Sequence, residues 1–125
     1  MNRTDIALEY KHMGFNCCQA VLMAFKEEMG LNDEQVISLG AGFGSGMGTT
    51  KGSCGALVGA VMADGMISGR KNSAGGRSIL TEFEMTSGAV TCGDLKGVKT
   101  GKVLCSCDQC VINAVKAAEK VLSRQ

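Results

Sequence analysis

The 125 residues are 45% hydrophobic and 20% charged and sum to a net charge of +1, a globular composition rather than a disordered one. The length fits one domain with a core of its own, so residues 1–125 are expected to form a single domain. Near-neutral charge and 4% aromatic content argue against a nucleic-acid partner, and no apolar run is long enough for membrane insertion.

Thr4 to Met13 places Ile6, Tyr10 and Met13 at helical spacing and stops before Gly14, which predicts a short amphipathic helix. Met1 to Asp5 leads into it without the apolar run of a secretory signal, so a cytoplasmic location is expected. Asn16 is placed to cap a second helix carrying Cys17, Cys18, Val21, Leu22, Phe25 and Met29, and Gly30 closes it. Asn32 with Gln35 marks a third, short helix through Val36, Ile37 and Leu39.

Glycine then recurs at every second position from Gly40 to Gly48. In a strand this would strip one face of side chains, so the tract reads as a loop or an irregular close-packed connection. Ser53 to Met66 returns to helical spacing through Leu57, Val58, Val61 and Met62. Gly55, Gly59 and Ala63 form a small-residue ridge that admits a second backbone, either within the core or across a homodimer. Ser68 to Ser78 reads as an exposed loop. Ile79, Leu80 and Phe83 signal a further helix stopping near Gly88, and Cys92 falls in a turn-rich stretch running to Gly101. Arg70, Lys71, Arg77, Lys96, Lys99 and Lys102 read as a solvated face.

A last helix from Asp108 to Ser123 carries Val111, Ala114, Val115, Ala118, Val121 and Leu122, with Cys107 and Cys110 at its start on the inward face. No alternating β-branched run occurs. The predicted fold is all-α, a compact bundle of four to five helices with a glycine-rich loop.

The chemistry rests on seven cysteines: Cys17, Cys18, Cys54, Cys92, Cys105, Cys107 and Cys110. In a reducing compartment such a set points to metal binding or thiol redox chemistry, and an odd count argues against full disulfide pairing. Cys54 stands where the glycine tract meets a helix start. Unsatisfied N–H groups and the helix dipole there favour a thiolate, the reactive form of the side chain.

The glycine tract fails both nucleotide patterns. Its steps are uniformly two residues with no preceding strand, and Lys51-Gly52-Ser53 reverses the lysine–glycine order of a phosphate loop. Cys107 and Cys110 form a C-x-x-C that overlaps the C-x-C of Cys105 and Cys107. Val111 stands where covalent haem attachment needs histidine, and the second knuckle of a common zinc site is missing. Iron–sulfur ligation accepts thiolates from scattered segments, although neither common ferredoxin spacing is present. His12 is isolated on a helix flank, the methionines have core spacing, and no Ser/His/Asp arrangement supports hydrolysis.

Asn16-Cys17-Cys18-Gln19-Ala20-Val21, the glycine run into Cys54-Gly55-Ala56-Leu57-Val58-Gly59, Cys92 with Leu95 and Gly97, and the cysteine-headed last helix together resemble the C-GCAxxG-C-C family of redox-active proteins. The resemblance spans most of the chain. It implies four cysteines in four segments: Cys17, Cys54, Cys92, and either Cys107 or Cys110. Cys107 fits the following apolar positions better. Ser53 replaces the glycine that precedes the second cysteine in the family motif, a departure that leaves the thiol in place. The same domain occurs in split-Soret cytochromes, whose haem sites this chain lacks.

The expected function is therefore redox. Cys17, Cys54, Cys92, Cys107 and Cys110 are the candidate catalytic and metal-ligating residues, and Cys17, Cys54, Cys92 and Cys107 the cofactor-binding set. They would form an iron–sulfur cluster or a thiol/disulfide electron-transfer centre with oxidoreductase-like character and a redox partner still to be identified. The alternatives are a non-enzymatic zinc module and a structural helical adaptor with buried thiols.

Overall fold

In the computed structural model, which describes residues 1–124, the chain folds into seven α-helices with no strand among the described residues. The helices are α1 (Arg3–His12), α2 (Cys17–Met29), α3 (Asp33–Gly40), α4 (Gly55–Ser68), α5 (Ala74–Ser87), α6 (Cys92–Lys96) and α7 (Cys107–Leu122). The all-α class stands; the expectation of four to five helices falls short. Cys92–Lys96, read as turn, closes a helical turn of its own, and five residues are too few to display a hydrophobic period.

Capping chemistry sets the ends of α2. Asn16 accepts from the Gln19 N–H at 2.8 Å while the Gln19 side chain accepts from the Asn16 N–H at 3.0 Å, a reciprocal box that satisfies two orphan donors. Gly30 ends the helix in the left-handed conformation. The same two side chains also reach outward: Asn16 donates to the Gly40 carbonyl at 3.1 Å and Gln19 to that of Ile37 at 2.9 Å. The cap of α2 thereby anchors the end of α3 and the start of the glycine tract.

The core lies where α2, α4 and α7 meet, with α1 and α5 completing the bundle. Phe25, Leu22, Val21, Ile79, Phe83, Leu95, Val111 and Val115 are fully buried there. The small-residue ridge of α4 faces α2. A Cβ on Gly59 would lie 3.0 Å from the Cys18 carbonyl, and one on Gly55 would lie 2.6 Å from the Phe43 carbonyl. The ridge is thus occupied by the protein's own backbone.

The glycine tract is an irregular, closely packed connection made of two short turns. It forms a 3-10 turn at Ala41–Phe43 and a wide irregular turn at Gly46–Thr50. Ser45, Met47 and Thr50 take positive φ values of 53°, 61° and 63°, which is costly for side-chain-bearing residues. Gly46 has φ +62°, and a Cβ there would meet the Cβ of Cys92 at 2.6 Å. The exposed loop expected over 68–78 is shorter than that, because α5 begins at Ala74. Gly75 and Gly76 lie inside α5, and Gly75 leaves room for the buried Asp64 carboxylate, which pairs with Arg70 at 2.6 Å.

Close packing and intrinsic propensity predict opposite signs for two glycines of one helix. Gly65, where an added methyl group would find nothing within 4 Å, should gain roughly 0.5–1 kcal/mol on replacement by alanine. Gly55→Ala should lose about 1–3 kcal/mol, because the Phe43 carbonyl must move. Urea denaturation of both variants checks this; stabilisation by both would remove the close contact at Gly55.

Candidate functional site

Four helices begin at a cysteine. Cys17, Cys92 and Cys107 are the first residues of α2, α6 and α7, and Cys54 is the N-cap of α4. A helix N-terminus carries partial positive charge from its unpaired N–H groups, which favours an anion, but burial outweighs this at Cys17 and Cys92. Cys110 lies one turn into α7 and is fully buried.

Two of the segments are joined directly. Ser53 and Thr91 form an isolated antiparallel bridge. Across it the Cys54 N–H donates to the Val90 carbonyl at 2.8 Å and the Cys92 N–H to the Gly52 carbonyl at 2.9 Å. The third connection runs through α6, where the Leu95 carbonyl accepts from the N–H groups of Leu104 and Cys105 and draws in the chain just ahead of α7. Ser106 then caps α7, accepting from the Gln109 N–H at 3.1 Å.

All seven thiols belong to one neighbourhood. The Cys110 thiol donates to the Cys105 carbonyl at 3.8 Å and lies close enough to Cys54 for each to shift the other's ionisation. Besides burial, Cys107 and Cys54 act to raise Cys17, and Cys54 and Cys107 act to raise Cys92. Cys18 faces the core beside Cys17 and Cys54. Cys105 lies within 3.8 Å of the Asn113 amide, which also holds Ser87 at 2.9 Å and ties α5 to α7.

The thiols are not equivalent. Cys54 is lowered to about 6 by the Cys110 hydrogen bond first, then by the N–H groups of Ala56 and Leu57 and the Lys96 charge, all acting against burial. Those N–H groups close no cap bond with the neutral thiol; they face the sulfur and favour its anion. Cys17 and Cys18 are pushed up to about 12, chiefly by burial, and Cys92 is raised for the same reason. Cys110 is raised because it supplies the proton that Cys54 accepts. The pair therefore shares one proton, held on Cys110.

Lys96 is the functional residue hidden from sequence reading, which grouped it with a solvated face. It is half-buried, and Cys107, Cys54 and Cys110 lie within its electrostatic reach; despite burial, these sulfurs raise its pKa. The signal was its spacing from Cys92: residues four apart on α6 share a face. Lys11 approaches from the other side, pairing with Asp108 at 2.7 Å within reach of Cys17 and Cys107. His12 also contacts Asp108, at 2.8 Å, and does not join the sulfurs.

Among the described residues no three His, Cys, Asp or Glu side chains are placed to hold one metal ion. Two surface hollows, about 600 Å3 beside Arg3, Ile6 and Tyr10 and about 610 Å3 beside Leu31, Leu39 and Met66, have no cysteine in their walls. The site is a packed cluster of sulfurs rather than a pocket.

The shifts set the pH dependence of stability. Cys54, depressed in the folded state, contributes stability that is present above the ordinary thiol value of 9.0 and is lost as pH falls through about 6. Cys17 and Cys18, raised from 9.0 to about 12, contribute stability below 9.0 that is lost as pH rises through about 12. Under reducing conditions the urea midpoint should therefore rise from pH 6 to pH 9 and fall beyond it. Cys54→Ser should flatten the rising limb, and Lys96→Met should move the first thiolate absorbance step to higher pH. A rising limb unchanged in Cys54→Ser would contradict the assignment.

A sequence-family model described as "Putative redox-active protein (C_GCAxxG_C_C)" matches residues 15–121. No curated protein and no solved structure matches the chain.

Proposed function

The chain belongs to the C_GCAxxG_C_C family, and from that footing we propose that its clustered cysteines work as a thiol/disulfide electron-transfer centre, with Cys54 the nucleophile and Cys110 its resolving partner. One arrangement carries this reading: Cys54 caps α4 without a side-chain cap bond and is tied to the Cys92 segment by the backbone bridge, where it is driven toward the thiolate while Cys17, Cys18, Cys92 and Cys110 are driven away from it. A nucleophile beside a protonated thiol is the arrangement disulfide exchange requires.

The Cys54 thiolate attacks one sulfur of a disulfide and displaces the other as a thiolate. Cys110 gives its proton to that thiolate, attacks the Cys54 sulfur and displaces the second one. Cys54 and Cys110 lose two electrons and become bonded; the disulfide gains them and becomes one thiol and one thiolate. Lys96 stabilises the negative charge as it moves among the sulfurs. Cys92, pinned beside Cys54 by the backbone bridge, completes the cluster.

An iron–sulfur cluster is the second reading. Four helix N-termini headed by cysteines favour an anionic group, and an iron–sulfur cluster held by Cys17, Cys54, Cys92 and Cys107 would supply one-electron transfer. As placed, the described donors do not fit a single ion such as zinc, and a metal centre would need the thiols to rearrange.

A titration against glutathione redox buffers, with acid trapping and mass mapping, separates the readings. The wild type should yield a Cys54–Cys110 bond in a two-electron step, and Cys54→Ser and Cys110→Ser should each lose it. Failure to form that bond at any buffer ratio would sink the thiol/disulfide reading. Stoichiometric iron and sulfide in anaerobically purified protein would replace it with the cluster.

A further inference from the structure

Cys54 is 2% exposed and Cys110 is fully buried, so an external disulfide cannot line up behind either sulfur without opening the fold. Cys17 and Cys107 are the two half-exposed cysteines of the seven. They head α2 and α7, two helices that pack together. Lys11 and Asp108 bridge the surface beside them at 2.7 Å, and the half-buried Lys96 lies within electrostatic reach of Cys107. The cluster thus has an outer tier and an inner tier of sulfurs.

We propose that Cys17 and Cys107 are the outward pair, which exchanges with an external disulfide and passes the oxidation inward to Cys54 and Cys110. This rests on the thiol/disulfide reading of the site and adds where the substrate meets it. The substrate class is a disulfide carried by a small thiol or by another protein chain.

In the outer step Cys107 loses its proton and attacks one sulfur of the external disulfide, displacing the other as a thiolate that takes up that proton; Cys17 then attacks the Cys107 sulfur, and the second thiolate leaves with the Cys17 proton, so that two thiols are released and Cys17 and Cys107 become bonded. In the inner step the Cys54 thiolate attacks the Cys107 sulfur and releases Cys17 as a thiolate. Cys17 takes the proton of Cys110. Cys110 then attacks Cys54, and Cys107 leaves as a thiolate facing the Lys96 ammonium. One disulfide and one thiolate enter the inner step, and one of each remain.

The test mixes reduced protein with glutathione disulfide, quenches in acid at successive times, alkylates, and maps bonds by mass spectrometry. Glutathione on Cys17 or Cys107, or a bond between them, should precede the Cys54–Cys110 bond. The double variant Cys17→Ser, Cys107→Ser should form the inner bond at least ~10-fold more slowly, since the fold must then open locally. An unchanged rate in that variant overturns the outward pair and leaves the inner pair standing. A Cys17–Cys107 bond that accumulates without yielding Cys54–Cys110 overturns the transfer. Absence of the Cys54–Cys110 bond under every condition defeats the thiol/disulfide reading itself. If the double variant loses helical structure, Cys17→Ser alone decides: a glutathione adduct on Cys107 ahead of the inner bond supports the proposal, and inner oxidation with no adduct overturns it.

Discussion

The site depends on a two-bond antiparallel bridge between Gly52–Cys54 and Val90–Cys92. These two stretches are distant in sequence, and nothing in the hydrophobic pattern of either calls for the other. The bridge satisfies backbone groups that would otherwise be stranded at the starts of α4 and α6, and in doing so sets two cysteine-headed helix ends side by side. The strained residues Ser45, Met47 and Thr50 belong to the same assembly, because the tract that contains them must clear the Cys92 side chain at Gly46. Local conformational cost is thus tolerated where it lets sulfur and backbone approach closely.

Electrostatics follows from that placement. Several thiols in a small volume cannot all ionise, since each thiolate raises its neighbours. The cluster resolves the conflict by concentrating stabilisation on one member. Cys54 receives the Cys110 hydrogen bond, two helix N–H groups and the Lys96 charge, whereas Cys17 and Cys18 receive mostly burial. Lys96 is retained as an ammonium because the sulfurs that need it also stabilise it.

Where a feature is local it was legible in the sequence. Asn16, Gln19 and Gly30 mark the ends of α2, Asn32 and Gln35 the start of α3, and the apolar period of α7 its buried face. The resemblance to the redox-active family was legible as well, because it rests on the order of short motifs. What escaped was non-local or too short. The helix α6 spans five residues, and its stability comes from Leu95 in the core and from backbone bonds to Gly52 and Leu104. The start of α5 was masked by Gly75 and Gly76, which look like loop residues but make room for Asp64 and for the packing of Val61. Lys96 looked like one more surface charge, since its partner, Cys107, is brought to it only by the turn before α7.

The pairing of Cys54 with Cys110 has a mechanical side. The two sulfurs belong to α4 and α7, which pack against each other across the centre of the bundle yet are separated by about 56 residues of chain. A covalent bond between them would close most of the second half of the molecule into one loop, worth about 4 kcal/mol by the entropy it removes from the unfolded chain. The oxidised and reduced proteins would then differ in how readily they unfold. Redox state would be written into the lifetime of the protein as well as into its chemistry.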